Sequence, residues 1–163
     1  MQEITIFSPA SVANVNCGFD TLGFALQDLG DEMILRKVPK KGIKIVKITG
    51  ANIPLETKKN VAGVAGLALL EHLNLDYGFE LEIKKNLRIG GGLGGSAASA
   101  AGVVFGINQF LKKPLSLEEL TYFGMKGEAV ASGNEHADNL APSIYGGFTL
   151  ITSYKPFHVV QLP

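Results

Sequence analysis

Ile89-Gly90-Gly91-Gly92-Leu93-Gly94-Gly95-Ser96-Ala97-Ala98-Ser99 is the stretch on which the reading of this chain turns. Before it, Phe79, Leu81 and Ile83 alternate with Glu80, Glu82 and Lys84, the period of a half-buried strand. After it, alanines and small residues run to about Leu111, where Lys112, Lys113 and Pro114 end a helix that must pack closely against a neighbour. A strand, a glycine-rich turn and a helix N-terminus together suit an anion. Glycine lets the backbone approach closely and adopt positive φ, and the first-turn N–H groups lack intrahelical partners. Ser96 falls in that first turn, where a hydroxyl can reach a metal held by phosphates.

Two known phosphate loops fit poorly. A P-loop ends Gly-Lys-Ser/Thr, and this one ends Gly-Gly-Ser. Gly90, Gly92 and Gly95 fit G-x-G-x-x-G, but the acidic residues about 20 positions on, Glu118 and Glu119, open a helix instead of ending a strand. A purely structural turn is a third option. Five glycines in six positions exceed what a turn needs, since each costs roughly 0.5–1 kcal/mol of chain entropy. A phosphate loop of another kind is the reading that remains favoured.

Working outward, Ile4, Ile6 and Phe7 suggest a short strand that breaks at Pro9, with residues 10–20 as a loop. Residues 33–38 and 43–48 are strand-like and flank Pro39-Lys40-Lys41-Gly42, which predicts a hairpin. Residues 57–73 carry helical spacing, with Thr57 or Asn60 as the cap. Ser116 and Glu119 form a capping box for a helix to about Ala131. A helical turn near 141–144 and strands at 148–152 and 157–162 complete an α+β order.

Composition narrows the class. The 163 residues are 46% hydrophobic and 18% charged, enough to bury a core. Fifteen basic residues balance fifteen acidic ones, so no basic stripe remains for nucleic acid. The single cysteine, Cys17, has no internal partner and points to a reducing compartment. The N-terminus lacks the pattern of a secretory leader, and no apolar run approaches a membrane span, so a cytoplasmic protein is expected. Three histidines and one cysteine make a poor zinc set. Ser132, His136 and Asp138 lie too close in sequence for a hydrolase triad.

Three segments in order resemble the homoserine kinase branch of the GHMP kinases. They are the glycine loop through Ser99, Pro9-Ala10-Ser11-Val12-Ala13-Asn14 with Cys17-Gly18-Phe19-Asp20, and Gly127-Glu128-Ala129 with His136-Ala137-Asp138-Asn139-Leu140-Ala141-Pro142 and Gly146-Gly147-Phe148. The resemblance implies a ribosomal-protein-S5-like α+β fold, with a mixed four- to five-stranded sheet and helices on one face. It implies transfer of the γ-phosphoryl of ATP to the side-chain hydroxyl of L-homoserine in threonine biosynthesis. ATP would lie on Gly90, Gly91, Gly92, Leu93, Gly94, Gly95 and Ser96, with Asn60 near the adenine. Mg²⁺ would lie between Ser96 and Glu128, and the homoserine beside Asn14, Asp20 and His136. Asn139 stands where several relatives carry an Asp; an amide cannot act as a base near pH 7.

The departures also inform. Gly95 and Gly91 sit where serine is common, and Cys17 where a small residue is usual, which favours a small buried side chain there. The family is about twice as long. Residues 1–163 are therefore expected to be the N-terminal, ATP-binding domain, and a C-terminal domain carrying arginines for the substrate carboxylate is expected to lie outside the chain. The face between them should be apolar and favour self-association. The competing readings are another small-molecule kinase of the superfamily, or a nucleotide-binding fragment inactive by itself.

Overall fold

Residues 33–38, with Met33 and Leu35 pointing to the core, belong to one long strand at the centre of the sheet. The structure, a computed structural model, describes residues 2–163, without the side chains of residues 131 and 132. Strands β1 (Glu3–Ala13), β2 (Leu22–Val38) and β3 (Gly42–Thr49) come first. Then follow α1 (Val61–Leu73), β4 (Gly78–Lys84), α2 (Gly95–Asn108), α3 (Leu117–Ser132), α4 (Leu140–Tyr145), β5 (Phe148–Tyr154) and β6 (Phe157–Leu162). The α+β expectation holds, with a mixed sheet of six strands instead of four to five. Its order is β3-β4-β2-β5-β6, with β1 also paired to β2.

Alternation sorts the two faces. Met33 and Leu35 of β2, Phe79, Leu81 and Ile83 of β4, and Ile43 and Ile45 of β3 are buried in the core shared with the helices. Apart from Ile34, the other face carries charge: Arg36 bridges Glu3 of β1 and Glu82 of β4, and Lys84 pairs with Glu32. Such exposed pairs add little stability. They hold charge where a one-residue slip would bury it, and so mark the register. The alanines of α2 explain themselves here: Ala97, Ala98, Ala100 and Ala101 are almost wholly buried, which sets this helix at the centre of the packing.

Several expectations require correction. Residues 33–38 and 43–48 form strands, but not a hairpin with each other. β4 lies between them, antiparallel to β2 and parallel to β3. Gly78 pairs with both Val38 and Gly42, so the turn at 39–41 straddles the start of β4. A Cβ at Gly78 would overlap the carbonyl oxygens of Lys40 and Gly42, which is why glycine stands there.

Strand β1 does not break at Pro9. It continues to Ala13, because the pairing with β2 shifts between Pro9 and Ser11 and the bulge accommodates the missing N–H. Residues 57–73 are two pieces: a 3-10 turn at Thr57–Lys59, then α1 from Val61. Asn60 separates them in an extended conformation and caps α1 with its side chain. α2 ends at Asn108, short of Leu111, because the Asn108 amide bonds the backbone of Leu115 in both directions. The Ser116–Glu119 capping box is formed as expected. Among the described residues no helix is long and apolar enough to cross a membrane.

Candidate phosphate-binding site

The strand–loop–helix unit is anchored by a residue that sequence reading passed over. Lys85 follows β4 and is buried. Its ammonium pairs with the buried Asp31 of β2 and also donates to Gly95 O at 2.6 Å and Ser99 Oγ at 3.0 Å. The other Asp31 oxygen accepts from the backbone of Asn86 at 2.8 Å and Leu87 at 2.9 Å. Both charges are thus solvated by the protein, and α2 is tied to β4 and β2 through its first residue. The hint in the sequence was a second lysine, after Lys84, where the alternation of β4 ends.

Above that anchor the loop turns through positive φ at Gly90, Gly92 and Gly94. Gly94 is the N-cap of α2, and among the described residues no side chain caps the helix. The first-turn N–H groups are therefore available to an external acceptor. A Cβ at Gly94 would overlap Ser11 Oγ and lie 2.9 Å from Asn139 Oδ1. The loop thus closes onto β1 and the start of α4, and Ser11 N–H donates to Leu93 O at 3.2 Å.

Ser96 Oγ donates to Glu128 Oε2 at 3.0 Å, which joins the first turn of α2 to α3. Glu128 is buried, not on a solvated helix face. Burial pushes its carboxyl up to about 7; the Ser96 hydroxyl opposes this, nearby Asp138 adds to it, and His136 and Lys85 oppose it. Asp138 is itself buried and raised, chiefly by burial. Two buried carboxyls with raised pKa values mark a place suited to a cation. Among the described residues no group of three His, Cys, Asp or Glu gathers as a self-sufficient metal site. A hard cation held there would need oxygen ligands from a phosphate, which is how Mg²⁺ is commonly bound.

The remaining candidates fall into two groups. Asn60 lines the cleft, but its amide is occupied: Oδ1 accepts from Ala62 N and Gly63 N, and Nδ2 donates to Pro54 O at 2.8 Å. Asn14, Asp20 and His136 do come together. Asn14 Oδ1 accepts from Asp20 N at 2.8 Å, and His136 Nδ1 lies 3.8 Å from Asp20 Oδ1. Tyr154, missed in the sequence, donates its hydroxyl to Asp20 O at 3.0 Å and so ties this loop to β5. Cys17, expected to be buried, is exposed, because residues 14–20 form a projecting turn with Asn14, Asn16 and Asp20 at positive φ.

Between the loop and residues 53–61 lies a cleft of about 570 Å³, in the size range of small-molecule sites. Gly90, Gly91, Gly92, Gly94, Gly95 and Ser96 form one wall, with Asn14 and Asn139 nearby; Ile53, Pro54 and Val61 give an apolar patch. Its cations are Arg88, Lys59, which pairs with Glu56 at 2.8 Å, and Lys85, which pairs with Asp31; among the described residues no Asp or Glu belongs to its lining. A wider groove of about 720 Å³ between α1, α3 and β6 is instead lined by Glu71, Glu118 and Glu119, the wrong charge for a polyphosphate.

Comparison with known proteins agrees with this geometry. Residues 58–147 match the family described as the GHMP kinases N terminal domain. A homoserine kinase of Chlorobium phaeovibrioides is 40% identical over 175 residues, covering 100% of this chain and 55% of that protein. The crystal structure of homoserine kinase from Cytophaga hutchinsonii superposes with a TM-score of 0.93 at 47% identity, over 100% of this chain and 52% of that one. The Methanococcus jannaschii mevalonate kinase shares the fold, with a TM-score of 0.73 at 20% identity. The chain thus spans about half the length of the homoserine kinases it matches. With its glycine loop, the Ser96–Glu128 contact and the Asn14–Asp20 turn all inside the matched architecture, the chain belongs to the GHMP kinase family, of which it carries the N-terminal domain.

Proposed function

We propose that this chain is the ATP-binding part of a homoserine kinase, which transfers the γ-phosphoryl of ATP to the side-chain hydroxyl of L-homoserine and yields O-phospho-L-homoserine for threonine biosynthesis. The observation that carries the reading is the cleft under the glycine loop, walled by the N-terminus of α2 with Lys59 and Arg88 in its lining, where Ser96 contacts Glu128 and Asn14 holds the turn of Asp20, itself near His136.

The triphosphate would take the first-turn N–H groups of α2, with Lys59 and Arg88 adding charge. The base would lie on Ile53, Pro54 and Val61, with Asn60 shaping that wall by capping α1 rather than by reading the base with its amide. Ser96 and Glu128 fit Mg²⁺: they are hard oxygen donors 3.0 Å apart at the first turn of α2, and a cation there would favour the charged form of the buried carboxyl. Mg²⁺ bound there would supply neutralisation of phosphate charge. Asp20 would take the ammonium of homoserine and His136 would donate to its carboxylate, a division that suits a zwitterion. Asn139 offers no base, so alignment and charge neutralisation carry the rate, and the hydroxyl proton leaves late or through phosphate.

The rest of the enzyme would complete the acceptor site. The test is ADP release from Mg-ATP by the complete protein, with and without L-homoserine, against a panel that includes mevalonate and galactose. ADP release stimulated by homoserine alone is expected. Stimulation by another alcohol would replace the acceptor, and tight Mg-ATP binding without turnover on any alcohol would reduce the chain to a nucleotide-binding module.

A further inference from the structure

We propose that Ser11 is a positioning residue for phosphoryl transfer, whose hydroxyl holds Asn139 with its amide oxygen turned back into the protein and its NH₂ presented to the cleft. The proposal rests on the reading of the cleft as a phosphoryl-transfer site.

The geometry is specific. Ser11 is wholly buried in β1, and its Oγ lies 3.0 Å from Asn139 Oδ1. An amide oxygen only accepts, so the serine is the donor of this bond. With Oδ1 occupied, Nδ2 is the end of the amide left to face the cleft that Asn139 lines. The reverse orientation would turn a carbonyl toward bound phosphate, a repulsive arrangement at the one place where negative charge must gather.

Ser11 also ties this choice to the phosphate loop. Its backbone N–H donates to Leu93 O, and Gly94 packs so tightly on Ser11 Oγ that no Cβ fits between them. A single residue therefore sets both where the loop lies and which way the Asn139 amide points. The amide NH₂ then donates to oxygen of the transferred group or of the acceptor hydroxyl as charge develops, and Ser11 itself never touches substrate.

The experiment is a double-mutant cycle on the complete protein: wild type, Ser11→Ala, Asn139→Ala and the pair, assayed with Mg-ATP and whichever acceptor the panel identifies. Asn139→Ala is expected to lower kcat about 10²-fold, the scale of one lost donor to a developing anion. Ser11→Ala is expected to lower kcat about 10-fold, with both KM values within about two-fold, and to cost nothing further once Asn139 is Ala. Additive losses in the pair would overturn the proposal, as would a Ser11→Ala effect confined to KM. An activity-independent readout is the side-chain NH₂ resonance of Asn139 in a ¹⁵N spectrum, assigned with Asn139→Ala. It should shift on adding a non-hydrolysable ATP analogue in the wild type and lose that shift in Ser11→Ala. An unchanged shift in Ser11→Ala would refute the positioning role, whereas absence of turnover on every alcohol in the wild type would refute only the kinase reading.

Discussion

Ser96 Oγ and Glu128 Oε2 lie 3.0 Å apart, and this contact joins the helix that follows the glycine loop to the helix that carries the buried carboxyl. Removing a carboxylate from water disfavours its charged form, and here that displaces the pKa from 4.5 to about 7. The folded state then holds the proton more tightly than the unfolded chain. Glu128's contribution to stability is full below pH 4.5, falls as pH rises toward 7, and is lost above that, a change on the order of 3 kcal/mol. Glu128→Gln should flatten this dependence. In urea unfolding without nucleotide, the variant should gain on the wild type between pH 5 and pH 8, and lose phosphoryl transfer at every pH. Parallel stability profiles for the two proteins would show that the carboxyl is not strained by burial.

The Lys85–Asp31 pair predicts a different kind of loss. Breaking a buried pair strands a charge and typically costs about 3–5 kcal/mol, whereas replacing both partners with neutral groups of similar size is far milder. Lys85→Met should therefore be strongly destabilising, and Lys85→Met with Asp31→Asn should recover much of the deficit in denaturant midpoint. Because Lys85 also holds Gly95 O and Ser99 Oγ, the rescued double variant should fold yet bind Mg-ATP more weakly than the wild type. Undiminished ATP affinity in that variant would remove Lys85 from the support of the loop.

How far the fold was legible follows from which forces are local. The strand alternation at Phe79, Leu81 and Ile83, the Ser116–Glu119 capping box and the alanines of α2 are written in neighbouring residues, and the structure bears them out. The pairing of residues 33–38 with β4 instead of β3 is not local. Its trace is Gly78, some forty residues after the β2 segment it pairs with, which can be interpreted only once the straddling turn is known. Pro9 misled for a related reason: proline ends most strands, but a shift in pairing can admit it. At the site, sequence motifs pointed to Ser96, Glu128 and the Asn14–Asp20 turn. The supporting residues Ser11, Asp31, Lys85 and Tyr154 act through tertiary contacts that no spacing rule describes.

Two loop glycines separate strain from collision. Gly90 and Gly94 both have positive φ, at 71° and 64°. A Cβ at Gly90 meets nothing within 4 Å, while one at Gly94 overlaps Ser11 Oγ. Gly90→Ala should cost only the backbone penalty, about 1–2 kcal/mol or less, and leave ATP affinity within several-fold. Gly94→Ala should displace the loop from β1 and reduce ATP affinity by at least ten-fold more than Gly90→Ala, measured by calorimetry at equal Mg²⁺. Equal effects at the two positions would mean that the contact with Ser11 does not set the loop.

The proposed acceptor end can be tested apart from the nucleotide. Asp20 sits at a φ of 56°, its N–H held by Asn14 Oδ1 and its carbonyl by the Tyr154 hydroxyl, so its carboxylate projects from a turn pinned on both sides. Pinning matters because a charge that pairs with an ammonium loses affinity if the turn must be ordered at the moment of binding. Tyr154→Phe removes one hydrogen bond and keeps the ring, so it should raise the homoserine KM several-fold and leave the ATP KM unchanged. Asp20→Asn removes the charge itself and should raise the homoserine KM by about 10²-fold, the scale of a charge-assisted hydrogen bond of about 1.5–3 kcal/mol. An acceptor without the amino group, 4-hydroxybutyrate, should then discriminate little between wild type and Asp20→Asn. If that analogue suffers the same loss as homoserine, Asp20 holds the loop rather than the ammonium, and the zwitterion assignment fails.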